Sequence, residues 1–335
     1  MKEHRSGILL TVGIFLPVFI TLALFIGVAR SEYPERPITV VVGVQAGGPM
    51  DMIFRAISVG AEKHLGQPVV IENRPSANAV MGFSVVAAAK PDGYKLAGGS
   101  NTALVRLPLL LKVTTFKPLK SFTSILGFVS LTNALVVRKD APWKTLPELL
   151  DYAKKNPGKI KYSASTVGSA MHQVMEYLAR KEGIHWVYIP QTGAGPSMIA
   201  LLGGHVDVLS AGADFVPQSQ QGAVRPLVLY EEKRSPCFPD VPILKEFGYE
   251  LLTEQIFSLH GPAGLPREIV RKLETAFAKG TETPEYKSLV FGKLCCTPVY
   301  YNGQDYDRYL NALWFKLEKD LKESGIIKEA ASQPY

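Results

Sequence analysis

Cysteine is scarce in this chain: Cys237, Cys295 and Cys296 are the only three in 335 residues. An odd count without C-x-x-C spacing excludes a disulfide framework and a zinc ribbon. In an oxidising compartment Cys237 could bridge to either neighbour, although small buried thiols are the simpler reading. Charge is also thin, with 20% charged residues and no cluster of five or six Lys/Arg. The formal net charge is +7, and it falls to +5 without the first 31 residues, which carry Lys2, Arg5, Arg30 and Glu3. A surplus so diluted excludes a nucleic-acid surface and at most draws in small anions. Disorder is excluded as well, because 47% of the residues are hydrophobic. A chain of this length buries a full core, and about two domains follow from length alone.

Several chemistries are missing. No Lys follows Gly47 and Gly48 to complete a phosphate loop, and "GAGPSM" at 193–198 begins a dinucleotide fingerprint but lacks its third glycine. No G-x-S-x-G elbow is present for acyl chemistry. "HGPAG" at 260–264 loosely resembles an oxyanion loop and reads better as a chain turn. His64, His172, His185, His205 and His260 are scattered, with no pair at helical i,i+4 spacing. These gaps argue against an enzyme, a cofactor and a metal centre.

What is present begins with a long apolar run. "ILLTVGIFLPVFITLALFIGVA" follows Lys2 and Arg5, and Ala29 and Ser31 are spaced for signal-peptidase cleavage after Ser31. An uncleaved anchor is the rival reading, since about 22 apolar residues can cross a bilayer. Either way the body of the protein lies outside the cytoplasm. Beyond it, strand-like and helix-like runs alternate. "ITVVVGV" (38–44), "PVVIENR" and "YKLAGGS" read as strands. Between them, 52–66 and "AVMGFSVVAAAK" read as helices. The middle repeats the scheme. "NALVVRKD" (133–140), "IKYSAS", "HWVYIP", "HVDVLS" and "VRPLVLY" are strands, and "AGADFVPQ" is a loop. The helices are 145–158, "MHQVMEYLARKEG" and "MIALLGG", the first with Thr145 as N-cap and Gly158 as terminator. Two amphipathic helices, from "LPREIVRKLETAFAKG" and "QDYDRYLNALWFKLEKDLKESG", finish the chain. The alternation predicts two similar α/β lobes with parallel sheets, and ligands in such folds gather beyond the strand carboxyl ends.

Three Gly/Ser-rich junctions stand at those ends: "QAGGPMD", "SASTVGSAMH" and "QTGAGPS". A helix N-terminus offers free N–H groups and a partial positive charge, and glycine lets a ligand approach the backbone. None of the three contains Arg or Lys, so an anion held there would rely on dipoles and neutral donors. Asp51 reads first as a helix-capping residue and only second as a ligand contact. A carboxylate facing it would be repelled unless the ligand carried an amine or a shared proton. His172, one turn into its helix, reads as a surface or capping histidine before a ligand contact.

"YPERPITVVVGVQAGGPMD", "LGQPVVIENRP", "AKPDGYKL", "NPGKIKYSASTVGSAMH", "LLGGHVDV" and "GPAGLPREIV" resemble the extracytoplasmic solute receptors of tripartite tricarboxylate transporters, the Bug/TctC type. The resemblance runs from about Tyr33 to the C-terminal helices. It implies an α/β, two-lobed periplasmic binding protein of type II (Venus flytrap) with a central cleft. One lobe would take residues 32–133 plus 256–335 and the other 134–255, after a signal peptide at 1–31. It implies a small organic carboxylate as ligand, often with ordered water, and membrane permease subunits as partners; the receptor itself is expected to be a monomer. A ligand-sensing partner of a sensor kinase is the alternative role. By matching motif, the contacts would come from Val44, Gln45, Ala46, Gly47, Gly48 and Asp51. The other lobe would supply Ser163, Ser165, Thr166, Gly168, Ser169, His172, Gln191, Thr192, Gly193 and Ala194. The chain departs from the family pattern at Gly43 and Val44, where Pro and an aromatic are usual, and at Gln191 and Thr192, where an aromatic and a basic or polar residue are usual. A common Asp lines up with Ala211, and Asp214 stands close enough to replace it. Loss of aromatic walls predicts a wider pocket and a different or bulkier solute.

Overall fold

The computed structural model describes residues 32–75, 80–111, 115–164, 169–191, 193–250 and 254–323. The apolar run at 1–31 lies outside them. The chain opens with β1 (Ile38–Val42), α1 (Pro49–Leu65), β2 (Val69–Asn73), α2 (Met81–Ala87) and β3 (Lys95–Ser100). A π-turn, Thr102–Arg106, leads into α3 (Leu107–Leu111), followed by β4 (Phe122–Leu131). A second set follows: β5 (Ala134–Arg138), α4 (Leu146–Lys155), β6 (Lys161–Ala164), α5 (Ala170–Glu182), β7 (Val187–Tyr188), α6 (Ala194–Leu202), β8 (Val208–Ala211), α7 (Phe215–Gln220) and β9 (Val224–Leu229). The chain then returns through β10 (Gln255–Pro262), α8 (Arg267–Gly280), α9 (Pro284–Lys287), β11 (Thr297–Asn302) and α10 (Gly303–Glu323).

These strands form two sheets, ordered β11-β4-β10-β3-β1-β2 and β7-β6-β8-β5-β9. The two share one plan. Each has three parallel strands with the first in the middle (β2-β1-β3 and β7-β6-β8). An antiparallel strand flanks each trio, β10 beside β3 and β5 beside β8. In each sheet that strand comes from chain outside the βαβ run. The sheets are therefore mixed, not parallel as the alternation predicts.

The difference traces to stretches whose period carried no signal. β4 is ten residues, and eight of them are buried. β10 has seven of eight buried. A strand covered on both faces loses the polar/apolar alternation that reveals strands in a sequence. "HGPAG" is only partly a turn, because His260, Gly261 and Pro262 end β10. The "AGADFVPQ" stretch likewise contains the start of α7. Thr145 caps α4, its Oγ1 accepting the Glu148 N–H, but the helix stops at Asn156, and Gly158 (φ 74°) belongs to the turn beyond.

Packing explains why each sheet is covered. In the first lobe Val40, Val42, Phe54, Ile57, Leu126 and Phe277 close one face of the sheet, and Val41, Phe83, Ala97 and Tyr306 the other. α1 and α8 cross at Gly60 and Gly280. A Cβ on Gly60 would stand 2.6 Å from the Gly280 Cα, so neither position admits a side chain at this spacing. Leu135, Val137, Tyr162, Val174 and Val208 form the equivalent core of the second lobe.

The lobes are joined by two crossings, β4 to β5 and β9 to β10, where Tyr230 N–H donates to Asn133 O at 2.9 Å. Cys237 is bridged to Cys295 with Cα atoms 5.7 Å apart, and Cys296 remains a buried free thiol. The simpler reading of three free thiols is thus corrected. Cys295 packs among second-lobe residues although the chain around it belongs to the first, so the bridge ties the lobes beside the crossings. Thr297 Oγ1, at the start of β11, donates to the buried Glu231 Oε2 at 2.9 Å at the same place.

Candidate functional site

The first junction follows β1. Gln45, Ala46 and Gly47 are exposed at the loop crest, while Val44 is half-buried against the core. Gly47 has φ 89°, a left-handed value that glycine adopts without strain. A Cβ built there meets nothing within 4 Å, so the backbone faces open space. Gly48 is the N-cap of α1 with no side-chain cap, and Pro49 follows at the first helical position, where its missing N–H is no loss.

Asp51 sits under this loop. It is the third helical residue, so the cap is Gly48 and Asp51 reaches back from inside the helix. Its carboxylate accepts Gly47 N–H at 2.9 Å, Asn73 Nδ2 at 2.9 Å and Arg55 Nε at 3.0 and 3.1 Å. Asn73 Nδ2 also donates to Val44 O at 3.1 Å, and Arg55 Nη2 donates to Asn73 Oδ1 at 2.9 Å. Burial pushes the Asp51 carboxyl up, but Arg55, Gly47 and Asn73 outweigh it and hold it below the ordinary value. Both oxygens are thus bonded to the loop and to the side chains beside it, and Asp51 holds Gly47 in place. Arg55 and Asn73 went unnoticed in the sequence. The i,i+4 Asp–Arg pair and the "ENR" ending of β2 were the available signals.

The second half-site lies at the carboxyl ends of β6, β7 and β8. Ser169 caps α5, its Oγ accepting His172 N–H at 3.3 Å. The His172 ring lies 4.5 Å from that of Tyr188 and 6.3 Å from that of Tyr162. Burial lowers the basicity of this imidazole, with Glu176 opposing in part, so at neutral pH it is a neutral group. Gly193 (φ 120°) caps α6, Ala194 is its first residue, and a Cβ on Gly193 also meets nothing within 4 Å. Gln191 is half-buried just before it. Ser165, Thr166, Gly168 and Thr192 lie outside the described residues.

Ser163 does not belong with these. It is fully buried in β6, and its Oγ donates to Ile189 O at 3.0 Å, tying β6 to the end of β7. Two residues enter that sequence reasoning missed. Ser197 Oγ bonds Gly193 O at 2.8 Å and Ala164 O at 3.2 Å, fixing the α6 start onto β6. Tyr188 supplies an aromatic face three residues ahead of the position where the family pattern would place one.

Asp214 is the N-cap residue of α7. A Cβ on Gly212 would stand 3.2 Å from Asp214 Oδ1, 3.7 Å from Asn133 Oδ1 and 3.8 Å from Met171 Cε. The carboxyl therefore lies between the first crossing and the opening turn of α5. Burial pushes it up to about 6, against the backbone N–H groups of residues 214 and 212. Ala211 is a buried β8 residue paired with Ala134.

His260 is buried in β10 between Ser124 Oγ (3.2 Å) and Ser258 Oγ (2.9 Å), and burial depresses it to about 3. Among the described residues no group of three His, Cys, Asp or Glu is placed to hold a metal ion. Nor, among them, is any helix long and apolar enough to cross a membrane. The two candidate half-sites are helix starts with bared glycine backbone at Gly47 and Gly193, an arrangement of the kind that attracts anions.

Residues 53–329 match the family described as the tripartite tricarboxylate transporter family receptor, TctC. A Cupriavidus necator protein named for the gbd 5' region is 38% identical over 298 residues, covering 89% of this chain and 88% of its own. Among solved structures, a periplasmic transporter superposes with a TM-score of 0.77 at 26% identity, covering 89% of this chain and 100% of its own. An R. palustris protein solved with adipate gives 0.76 at 28%, covering 88% and 99%. MatC from Rhodopseudomonas palustris with bound malate gives 0.67 at 27%, covering 87% and 98%. This chain belongs to the TctC family of tripartite tricarboxylate transporter receptors, periplasmic solute-binding proteins and not enzymes.

Proposed function

We propose that the protein captures a small organic carboxylate between its lobes and presents it to the membrane permease of a tripartite tricarboxylate transporter. The lobes are taken as residues 32–133 plus 256–335 and residues 134–255, closing on each other as a monomer. Export by a cleaved signal peptide at 1–31 delivers it to the periplasm. The observation that carries this reading is the pair of glycine caps, Gly47–Gly48 on α1 in one lobe and Gly193 on α6 in the other, with open space around Gly47 and Gly193. The Gly47 N–H is held by Asp51, and the positive end of the helix dipole lies at each of these helix starts. Two relatives hold adipate and malate, both dicarboxylates, which supports the ligand class.

In a partly dry cleft such neutral hydrogen bonds gain strength over their value in water. Selection then rests on the walls. Gln191, His172 and Tyr188 offer hydrogen bonding and a ring face, and no aromatic rises from Val44, so the first-lobe side accommodates a longer or bulkier acid.

The test is thermal unfolding of the mature protein against a panel of mono- and dicarboxylates and neutral solutes. One or more carboxylates are expected to raise the melting temperature. A panel in which only neutral solutes do so contradicts the reading.

A further inference from the structure

The three glycine junctions contain no cation, yet the fold brings one across the gap between the lobes. Arg106 ends the π-turn that follows β3 in the first lobe, and its Nη1 donates to Oε1 of Gln173 in the second lobe. Arg106 is 5% exposed, buried in its own lobe with Gln173 reaching it from the other. Gln173 is the fourth residue of α5, its own N–H bonded to Ser169 O at 3.0 Å, one residue beyond His172.

The position of this bond in the sheets gives it meaning. The chain crossings leave β4 and β9, on the β4/β10 and β5/β9 side of the molecule. β3 and β6 lie toward the other side, with the junctions described above. Thr132 Oγ1 donates to Cys295 O beside the first crossing, and a rotation about the crossings therefore barely moves that pair but separates residue 106 from residue 173. Asp320 and Tyr309 of α10 stand near the guanidinium. Burial lowers its basicity only to about 10, so it stays charged at neutral pH.

We propose that the Arg106–Gln173 hydrogen bond is a latch between the lobes, made on closure, that holds the closed form over a bound solute without touching it. The proposal rests on the binding reading above. A ligand's apparent affinity scales with the population of the binding-competent closed form, so a bond present only in that form tightens binding by slowing escape. A hydrogen bond to a charged group contributes about a factor of ten or more to such an equilibrium.

Gln173 is half-buried and is the side to change, since altering the buried Arg106 risks the fold. The mature protein is titrated with adipate by calorimetry, and dissociation is followed by stopped flow. Gln173→Ala is expected to weaken binding about tenfold through a faster dissociation rate, with association unchanged. Gln173→Glu sets a carboxylate against the guanidinium and is expected to tighten it. If Gln173 contacted the solute directly, Gln173→Glu would instead repel adipate and weaken binding, which overturns the latch. A wild-type dissociation rate in Gln173→Ala overturns it too.

Failure of adipate to bind the wild type counts against that solute and leaves the latch to a ligand-free readout. Small-angle scattering should then give a larger radius of gyration for Gln173→Ala than for Gln173→Glu. Equal radii overturn the proposal.

Discussion

Gly47 concentrates the argument in one residue. Its φ of 89° costs an L-residue roughly 1 kcal/mol or more, and its missing side chain leaves the backbone bare. Gly47→Val is expected to keep the far-UV spectrum, lower stability by about 1–2 kcal/mol, and abolish the carboxylate-induced rise in melting temperature. An unchanged rise would reduce the loop to a turn. The same residue shows how sequence and structure divide the work. The two glycines and the acid were legible as a strand-to-helix junction. What the acid does was not, because the bonds from Arg55 and Asn73 depend on β2 lying beside β1.

At the scale of elements, the connection between lobes is held by more than two crossings. The Cys237–Cys295 bridge closes a loop of 58 residues around β10, α8 and α9. Loop closure of that size stabilises by about 4 kcal/mol in the chain-entropy account, and disulfides typically deliver about 2–4 kcal/mol. Cys237→Ser, which leaves Cys295 and Cys296 as thiols, should lower the urea midpoint accordingly, and reductant should reproduce the effect in the wild type. Equal midpoints would mean that noncovalent packing alone secures the joint.

The helices with clear periodicity and caps, such as α5 ending at Gly183 and α8, were readable in the sequence. So were β1, β2 and β3, each bounded by turn residues. β4, β10 and β11 were not, since they pair with strands far away in the chain and two of them are buried on both faces. The mixed character of the sheets follows from these strands and was hidden with them. In the site, the three junctions were visible, but the cap of α1 was read as Asp51 and is Gly48, and Ser163, already legible as part of a strand, turns its hydroxyl to Ile189 O. A hydroxyl's direction is set by its neighbours in space.

For the molecule as a whole, the joint between lobes carries a pH dependence. Glu231 is 4% exposed, with Oε2 bonded to Thr297 and Oε1 buried without a partner. Burial pushes its carboxyl up to about 7; Thr132 and Thr297 pull it back and Glu254 adds to the rise. The folded state thus holds this proton more tightly than the unfolded chain, where the ordinary value is 4.5. Stability from this group is complete below about 4.5, falls as pH rises toward 7, and is flat above. Between pH 5 and 8 the loss is about 2 kcal/mol. Glu231→Gln should remove that slope, as read from chemical unfolding at the two pH values. A parallel decline in the variant would assign the dependence to other groups.

The central claim is that a carboxylate bridges the glycine-capped helix starts of the two lobes. A crystal structure of the mature protein, grown with the carboxylate that most raises its melting temperature, tests it directly. The account predicts carboxylate oxygens within hydrogen-bonding distance, directly or through one water, of backbone N–H groups at Gln45, Ala46 or Gly48 and at the starts of α5 or α6. A ligand found elsewhere, or one whose carboxylate is held only by side-chain cations with those N–H groups left to solvent, would contradict it.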